Sequence, residues 1–343
     1  MSPLRIGVIG GAKIAEKSML PAITATPGVE LAAIASRSAE RAASLAERFG
    51  GSVRGSYDEV IDDPDIDAVY VPLPIGLHGE WVGRALRAGK HVLSEKSLAG
   101  SYADVCELVQ LARAQSLVLF ENFMCETHPQ SIAVRETIGA GGIGDLAHLA
   151  LFFGFPAFAA DDQRNSRELE GGALNDAGAY CLDMAVFYTG RLPVSVWASA
   201  DQRGADVDQW GSATLHLKGG AVAQLSYGFG LDYRNEVEIW GTSGSIHVDR
   251  AFSIPADRLP SVVLTRNTVR SSIEIPAADQ FQTQVRRFAE TIRIGSGAIE
   301  LDRRQAHGLI MDSVRRSAAE DRVVAMSEHP DWDALAGRIG DAG

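Results

Sequence analysis

The sequence predicts an α/β chain: a doubly wound parallel sheet in the N-terminal third, then an α+β part built on a large, mostly antiparallel open sheet. Three observations carry this. Short runs apolar on both sides alternate with amphipathic stretches up to Phe123, the pattern of parallel strands covered by helices on both faces. The glycine-rich turn Gly7-Val8-Ile9-Gly10-Gly11-Ala12 closes the first run and opens a helical stretch. Beyond Phe123, strands follow strands across hairpin sequences. At 343 residues the length suits two domains. The change of rhythm sets them at 1–123 and 124–343, with the last helices packing back on the first.

Each element has its own reason. Leu4–Ile9 reads as a buried strand, Ile14–Thr24 as a helix, Val29–Ala35 as a strand and Ala39–Phe49 as a helix. Ile66–Val71 is rich in β-branched residues, and the helix Gly79–Ala88 ends at Gly89, which suits a position past a helix end. His91–Ser94, Tyr102–Gln115 and Leu117–Phe120 continue the alternation. A helix over Pro129–Ile138 and a strand over Leu146–Phe155 follow. A polar loop with Asp161, Asp162, Arg164 and Arg167 then leads through Gly171-Gly172 into a helix ending near Gly190.

The strands Val194–Ala200, Gly211–Leu217, Ala221–Tyr227, Glu236–Trp240 and Ser245–Val248 read as an antiparallel meander, with glycine turns at Lys218-Gly219-Gly220 and Gly241–Gly244. Helices near Asp279–Ile294 and Asp302–Ala319 close the chain. His307 with Arg303, Arg304, Arg315 and Arg316 reads as their solvated face. A sheet backed by helices on one face leaves the other to be covered. A second copy of the chain is the economical cover, so a homodimer or homotetramer is expected.

Composition narrows the function. With 32 Lys+Arg against 44 Asp+Glu the net charge is −12, which disfavours nucleic acid, and no basic run offsets it. A hydrophobic share of 46% disfavours a disordered chain. The most apolar stretch, Leu146–Ala160, contains His148 and Pro156 and is shorter than a bilayer span, so no membrane partner is expected. Met1-Ser2-Pro3-Leu4-Arg5 runs straight into a strand pattern, without a signal peptide. Cys106, Cys125 and Cys181 have no CxxC spacing and read as buried thiols of a cytoplasmic protein. No cluster has metal-ligand spacing, so no metal is implied.

The first turn matches GxGxxG/A at Gly10 and Ala15, with Ala12 in place of the second glycine. Following a strand and opening a helix, Gly10, Gly11, Ala12, Lys13, Ile14 and Ala15 form a dinucleotide-binding turn, whose free N–H groups favour phosphate oxygens. The second strand ends in Ser36-Arg37-Ser38, with Arg41 one turn on. A carboxylate here would select NAD; a hydroxyl and guanidinium suit a 2′-phosphate, so NADP(H) is the predicted cofactor.

Three further segments draw attention. Val71-Pro72-Leu73-Pro74 with His78, and Ser94-Glu95-Lys96-Ser97, follow parallel strands at the ends where doubly wound sheets bind ligands. Gly171-Gly172-Ala173-Leu174-Asn175-Asp176-Ala177-Gly178-Ala179-Tyr180 sets Asp176 and Tyr180 one helical turn apart. The plainer alternatives are a core tyrosine, a helix-start aspartate and histidine, and a surface lysine.

Together, the Gly10 turn, Glu95-Lys96 and Gly-Gly-Ala-x-x-Asp-x-Gly-x-Tyr resemble the Gfo/Idh/MocA oxidoreductases over nearly the whole chain. Ala68–Pro74, Glu121-Asn122-Phe123-Met124 with His128-Pro129-Gln130, and Asp279-Gln280-Phe281 are similar to the dTDP-sugar 3-ketoreductases of deoxysugar biosynthesis. The resemblance implies a Rossmann-type first domain and NADPH-dependent reduction of the C3 keto group of a dTDP-linked 3,4-diketo-2,6-dideoxyhexose. It implies that Lys96, Tyr180 and Asp176 are catalytic. It sets Tyr57, Leu73, His78, Glu95, Asn122, Arg164 and Asp176 against the cofactor, and Tyr233 and Ser253, with Lys96 and Tyr180, near the substrate. Ser97 departs from the family's usual proline.

The chemistry is consistent. Hydride addition to a carbonyl creates an alkoxide, and phenols and ammonium groups both keep their protons at neutral pH. Against a chain of charge −12, a diphosphate substrate needs local cations, for which Arg164, Arg167 and Arg234 are candidates. The other readings are an NADP-dependent sugar or trans-dihydrodiol dehydrogenase, a silent NADP(H)-binding sensor or scaffold, and a redox-neutral glycosidase.

Overall fold

The computed structural model describes residues 2–340, in two compact units. The first unit comprises residues up to Asn122 together with Phe281–Gln305. Its strands are β1 (Leu4–Ile9), β2 (Val29–Ala35), β3 (Ser52–Arg54), β4 (Ala68–Val71), β5 (His91–Ser94) and β6 (Leu119–Glu121). They form a parallel sheet in the order β3-β2-β1-β4-β5-β6. The order reverses beside β1, where such sheets open a crevice at their carboxyl ends.

Helices α1 (Leu20–Ala25), α2 (Ala39–Phe49), α3 (Tyr57–Ile61), α4 (His78–Arg87) and α5 (Tyr102–Ala114) connect the strands. The hydroxyls of Ser38 and Ser101 cap α2 and α5 by accepting from the amides of Arg41 and Asp104. Two apolar layers sandwich the sheet, one around Ile6, Val8, Tyr70 and Phe120, the other around Ile9, Val69, Val92 and Leu119. The short pair β3 and α3 lay outside the sequence pattern.

The second unit comprises Phe123–Gln280 and the residues from Ala306 on. It begins with α6 (Pro129–Gly139), β7 (Leu146–Phe155) and α7 (Ala179–Thr189), which ends at left-handed Gly190. Strands β8 (Pro193–Asp201), β9 (Trp210–Leu217), β10 (Val222–Phe229), β11 (Arg234–Gly241), β12 (Gly244–Asp249), β13 (Ser261–Arg266) and β14 (Val269–Ser272) follow. Helices α8 (Gln280–Ile294) and α9 (Ala298–Glu320), strand β15 (Val324–Ala325) and α10 (Trp332–Gly340) complete the described chain.

The sheet is not one meander. Its order is β14-β13-β12-β11-β7-β10-β9-β8-β15: β7 is inserted between two meanders and runs parallel to β10. Sequence adjacency shows which strands pair through hairpins, not which pair opens to admit an earlier strand.

The closing helix also differs from expectation. Arg304 is 1% exposed, His307 is buried and Arg315 is mostly buried, its guanidinium donating to the side-chain oxygen of Asn175. Only Arg316 of that set is exposed. Regular charge spacing marks a solvated face only when no buried counter-charge is waiting, and here there is one. No helix among the described residues is long and apolar enough to cross a membrane.

Candidate active site

In the first unit the predicted residues gather at the carboxyl ends of β1, β2, β4, β5 and β6. Gly10 follows β1 with φ +133°, and an added Cβ would stand 3.0 Å from Cδ2 of Leu73 and 3.2 Å from the Pro72 carbonyl. Only glycine suits this position, in conformation and in space. Gly11 is as tight, its missing Cβ lying 2.7 Å from Cγ of Arg41 and 3.2 Å from Oγ of Ser36. Ala12, Lys13 and Ile14 then lead into a π-helical turn, Ala15–Met19, before α1.

Arg41 is already engaged. Its Nε donates to the Gly11 carbonyl at 3.1 Å and its Nη2 to Glu16 at 2.7 Å, while Arg48 holds the other oxygen of Glu16. Arg41 therefore braces the turn, which leaves Ser36 and exposed Arg37 as the groups at the β2 end. Tyr57 packs edge-on against Trp81. Burial raises its pKa, with the charge of Arg37 opposing.

Glu95 accepts from the Tyr70 hydroxyl and the Asn122 side-chain amide, both at 2.7 Å. Burial pushes its carboxyl up against those two bonds. His78 differs from its expected role. It is fully buried, with Nδ1 2.8 Å from the Ser97 carbonyl and Nε2 2.8 Å from the Leu73 carbonyl. It joins two loops and presents no ring nitrogen to a ligand. Burial lowers its pKa. Lys96 follows β5, and the Lys96–Ser97 peptide is cis.

In the second unit, Gly171 and Gly172 explain how the loop reaches the helix. A Cβ on Gly171 would collide with the Arg164 carbonyl, and one on Gly172, at φ +112°, with the Asp208 carboxylate. Bare backbone at both positions lets Arg164 bridge Asp176 at 2.9 Å and Asp162 at 3.0 Å. Burial disfavours the Arg164 charge, but Asp176 and Asp162 outweigh it and hold the guanidinium above its ordinary range. Asp208 accepts from the Leu174 amide at 2.7 Å, at the start of the π-helical turn Leu174–Gly178.

Tyr180 follows on α7, ringed by Phe123 at 5.3 Å, Phe153 at 5.5 Å and Phe252 at 6.3 Å. Its hydroxyl donates to the Met124 sulfur at 3.4 Å. Tyr233 and Ser253 are gathered by Asn235, which no sequence motif marks. The Asn235 side-chain amide donates to the Tyr233 hydroxyl at 2.9 Å and to the Ser253 carbonyl at 3.5 Å. Its oxygen accepts from the Phe252 amide at 2.9 Å, and Arg250 donates to the Tyr233 hydroxyl at 3.2 Å. The available signal was parity: Asn235 shares the core face of β11 with Val237 and Ile239, where a polar residue needs partners.

The other proposed diphosphate cations do not match expectation. Arg234 pairs with Glu236 and covers the Phe152 ring on the opposite face of β11, and Arg167 is spent on the Asp206 carbonyl.

Residues 4–123 match the model of the oxidoreductase family with an NAD-binding Rossmann fold, and residues 132–247 that of the GFO/IDH/MocA C-terminal domain. The chain belongs to the Gfo/Idh/MocA oxidoreductase family. Its relatives include the dTDP-3,4-didehydro-2,6-dideoxy-α-D-glucose 3-reductase of Saccharopolyspora spinosa, 42% identical over 86% of this chain and 89% of that one. The enzyme of that name from Streptomyces violaceoruber is 41% identical over 93% and 94%. Among solved structures, the 3-ketoreductase KijD10 of Actinomadura kijaniata, in complex with NADP and TDP-benzene, matches with a TM-score of 0.87 and 38% identity over 92% of this chain and 98% of that one. The family's dinucleotide fits this chain on the cradle at Gly10 and Gly11, two positions with no room for a Cβ of their own.

Proposed function

We propose that this chain reduces the 3-keto group of a dTDP-linked 3,4-diketo-2,6-dideoxyhexose, using NADPH. The reading is carried by similarity along nearly the whole chain to reductases named for that substrate. The Gly10–Gly11 cradle supports a dinucleotide, and Ser36 with Arg37 supports one bearing a 2′-phosphate. NADPH, when bound, supplies the hydride. Lys96 polarises the keto oxygen, and Tyr180 donates a proton from its hydroxyl as that oxygen becomes an alkoxide. Arg164 bridges Asp176 and orients it at the head of the tyrosine's helix. Asn235 and Arg250 orient Tyr233 beside Ser253 for the sugar nucleotide.

The proposed assembly is a homodimer, or a dimer of dimers, through the open face of the second unit's sheet. Trp240 on that face is 66% exposed and Trp197 is exposed too, and a second copy of the same sheet would cover them. The proposed compartment is the cytoplasm, which suits the free thiols of Cys106, Cys125 and Cys181.

Fluorescence titration with NADPH and NADH, then dTDP, followed by turnover on the diketo sugar, tests the reading. The expected result is about tenfold or greater preference for NADPH, with dTDP binding to the binary complex. Preference for NADH overturns the Ser36–Arg37 argument. Turnover on free sugars or dihydrodiols alone replaces the reductase reading, and cofactor binding without any turnover indicates a silent member.

A further inference from the structure

The backbone just after Lys96 is held by a single peptide group gripped at both ends. Its carbonyl, from Ser97, lies 2.8 Å from Nδ1 of His78. Its amide, from Leu98, donates to Oε1 of Glu121 at 2.8 Å. Ser97, Leu98, His78 and Glu121 are all buried. A planar peptide fixed through both its oxygen and its nitrogen cannot rotate, so the Cα of Ser97, the residue joined to Lys96, is held in place as well.

Glu121 is itself anchored. Its second oxygen pairs with Arg304 at 3.6 Å, Arg304 pairs with Glu300 at 2.9 Å, and Glu300 pairs with Arg287 at 2.9 Å. Arg303 reaches Glu300 as well, at 3.8 Å, so the two buried carboxyl groups face three guanidinium groups, of which Arg304 alone is fully buried. All of these residues lie within the first unit.

We propose that Glu121 is a positioning residue for Lys96, fixing the Ser97–Leu98 peptide and thereby the base of the lysine side chain. This rests on the reading of Lys96 as a catalytic group. Catalysis by positioning is steep, because a displacement of about 1 Å at a reacting group can cost about a hundredfold in rate. Glu121 acts through geometry, its two oxygens turned to the Leu98 amide and to Arg304.

The test compares Glu121→Gln, which keeps an oxygen to accept the Leu98 amide, with Glu121→Leu, which does not. Amide hydrogen exchange of the full chain without cofactor is read for the segment around Leu98, with β1 and β4 as internal controls of folding. Glu121→Leu should speed exchange there by about tenfold or more while the controls stay protected. It should lower kcat by about tenfold or more with NADPH affinity within about twofold of the parent. Glu121→Gln should restore protection and turnover.

Unchanged exchange at Leu98 in Glu121→Leu overturns the proposal whatever the activity. So does a parallel loss of kcat and NADPH affinity, or loss of protection in β1 and β4 with the leucine and glutamine variants alike, since a general folding role would produce either. Lys96→Ala, made alongside, separates the two readings. Full turnover in Lys96→Ala discards the lysine's catalytic role. Normal turnover in Glu121→Leu, when Lys96→Ala is inactive, discards the positioning role alone.

Discussion

Lys96 and Tyr180 sit in opposite kinds of surroundings. The Ser97–Leu98 peptide, one step past the lysine, is gripped by polar side chains, Glu121 and His78, with a buried ion pair behind them. The tyrosine stands among Phe123, Phe153 and Phe252, with a methionine sulfur at its hydroxyl. A polar grip is directional, and removing one partner leaves the other buried and unpaired. An aromatic cage is non-directional, and losing part of it gives up only dispersion and area. One region should therefore fail abruptly and the other by degrees.

The largest test of this contrast is stability. Arg304→Met removes the guanidinium that pairs with both Glu121 and Glu300, leaves Glu300 to Arg287 and Arg303, and should cost about 3 kcal/mol or more in urea unfolding. Phe252→Leu, a trimmed wall of the cage, should cost about 1.5 kcal/mol. Equal losses would erase the distinction. In catalysis, Lys96→Ala and Tyr180→Phe should each lower kcat by about a hundredfold, and near-normal turnover in both would overturn the assignment.

A smaller effect appears against pH. Burial pushes the Glu121 carboxyl up to about 7, against the pull of Arg304. The folded state then keeps a proton that the unfolded chain, with a carboxyl near 4.5, releases earlier. Stability from this group is full below pH 4.5, is lost as pH rises to about 7, and is level beyond. Glu121→Gln should flatten that slope in unfolding measured across the interval; an unchanged slope assigns it elsewhere. The smallest effect belongs to Tyr233→Phe, which removes a hydroxyl shared by Asn235 and Arg250. It should raise KM a few-fold, about 1 kcal/mol, with kcat intact. A large fall in kcat would move Tyr233 into the chemistry.

Much of this was legible in the residues. Apolar runs and glycine punctuation located β1, β2, β4 and β5, and the Gly171-Gly172 motif marked the helix of Asp176 and Tyr180. Long-range pairing was not legible. Arg304 looks solvated until Glu121, far away in sequence, is known to lie beside it. β7 looks like the start of a meander because nothing local says that β10 and β11 separate around it. Asn235 was hidden between two charged neighbours, and His78 looked like a ligand because a sequence does not show which carbonyls a ring will meet. Both helices behind the proposed sites open with a π turn, Ala15–Met19 and Leu174–Gly178. Such turns are common at functional sites but have no spacing signature.

The first unit borrows Val285, Phe288, Ala289 and Leu301 to complete the two apolar layers on its sheet. These residues emerge from the ribosome long after β6. While the intervening chain is being made, the nascent parallel sheet has bare patches on both sides, so the coenzyme half can mature only once α8 and the start of α9 have followed it out.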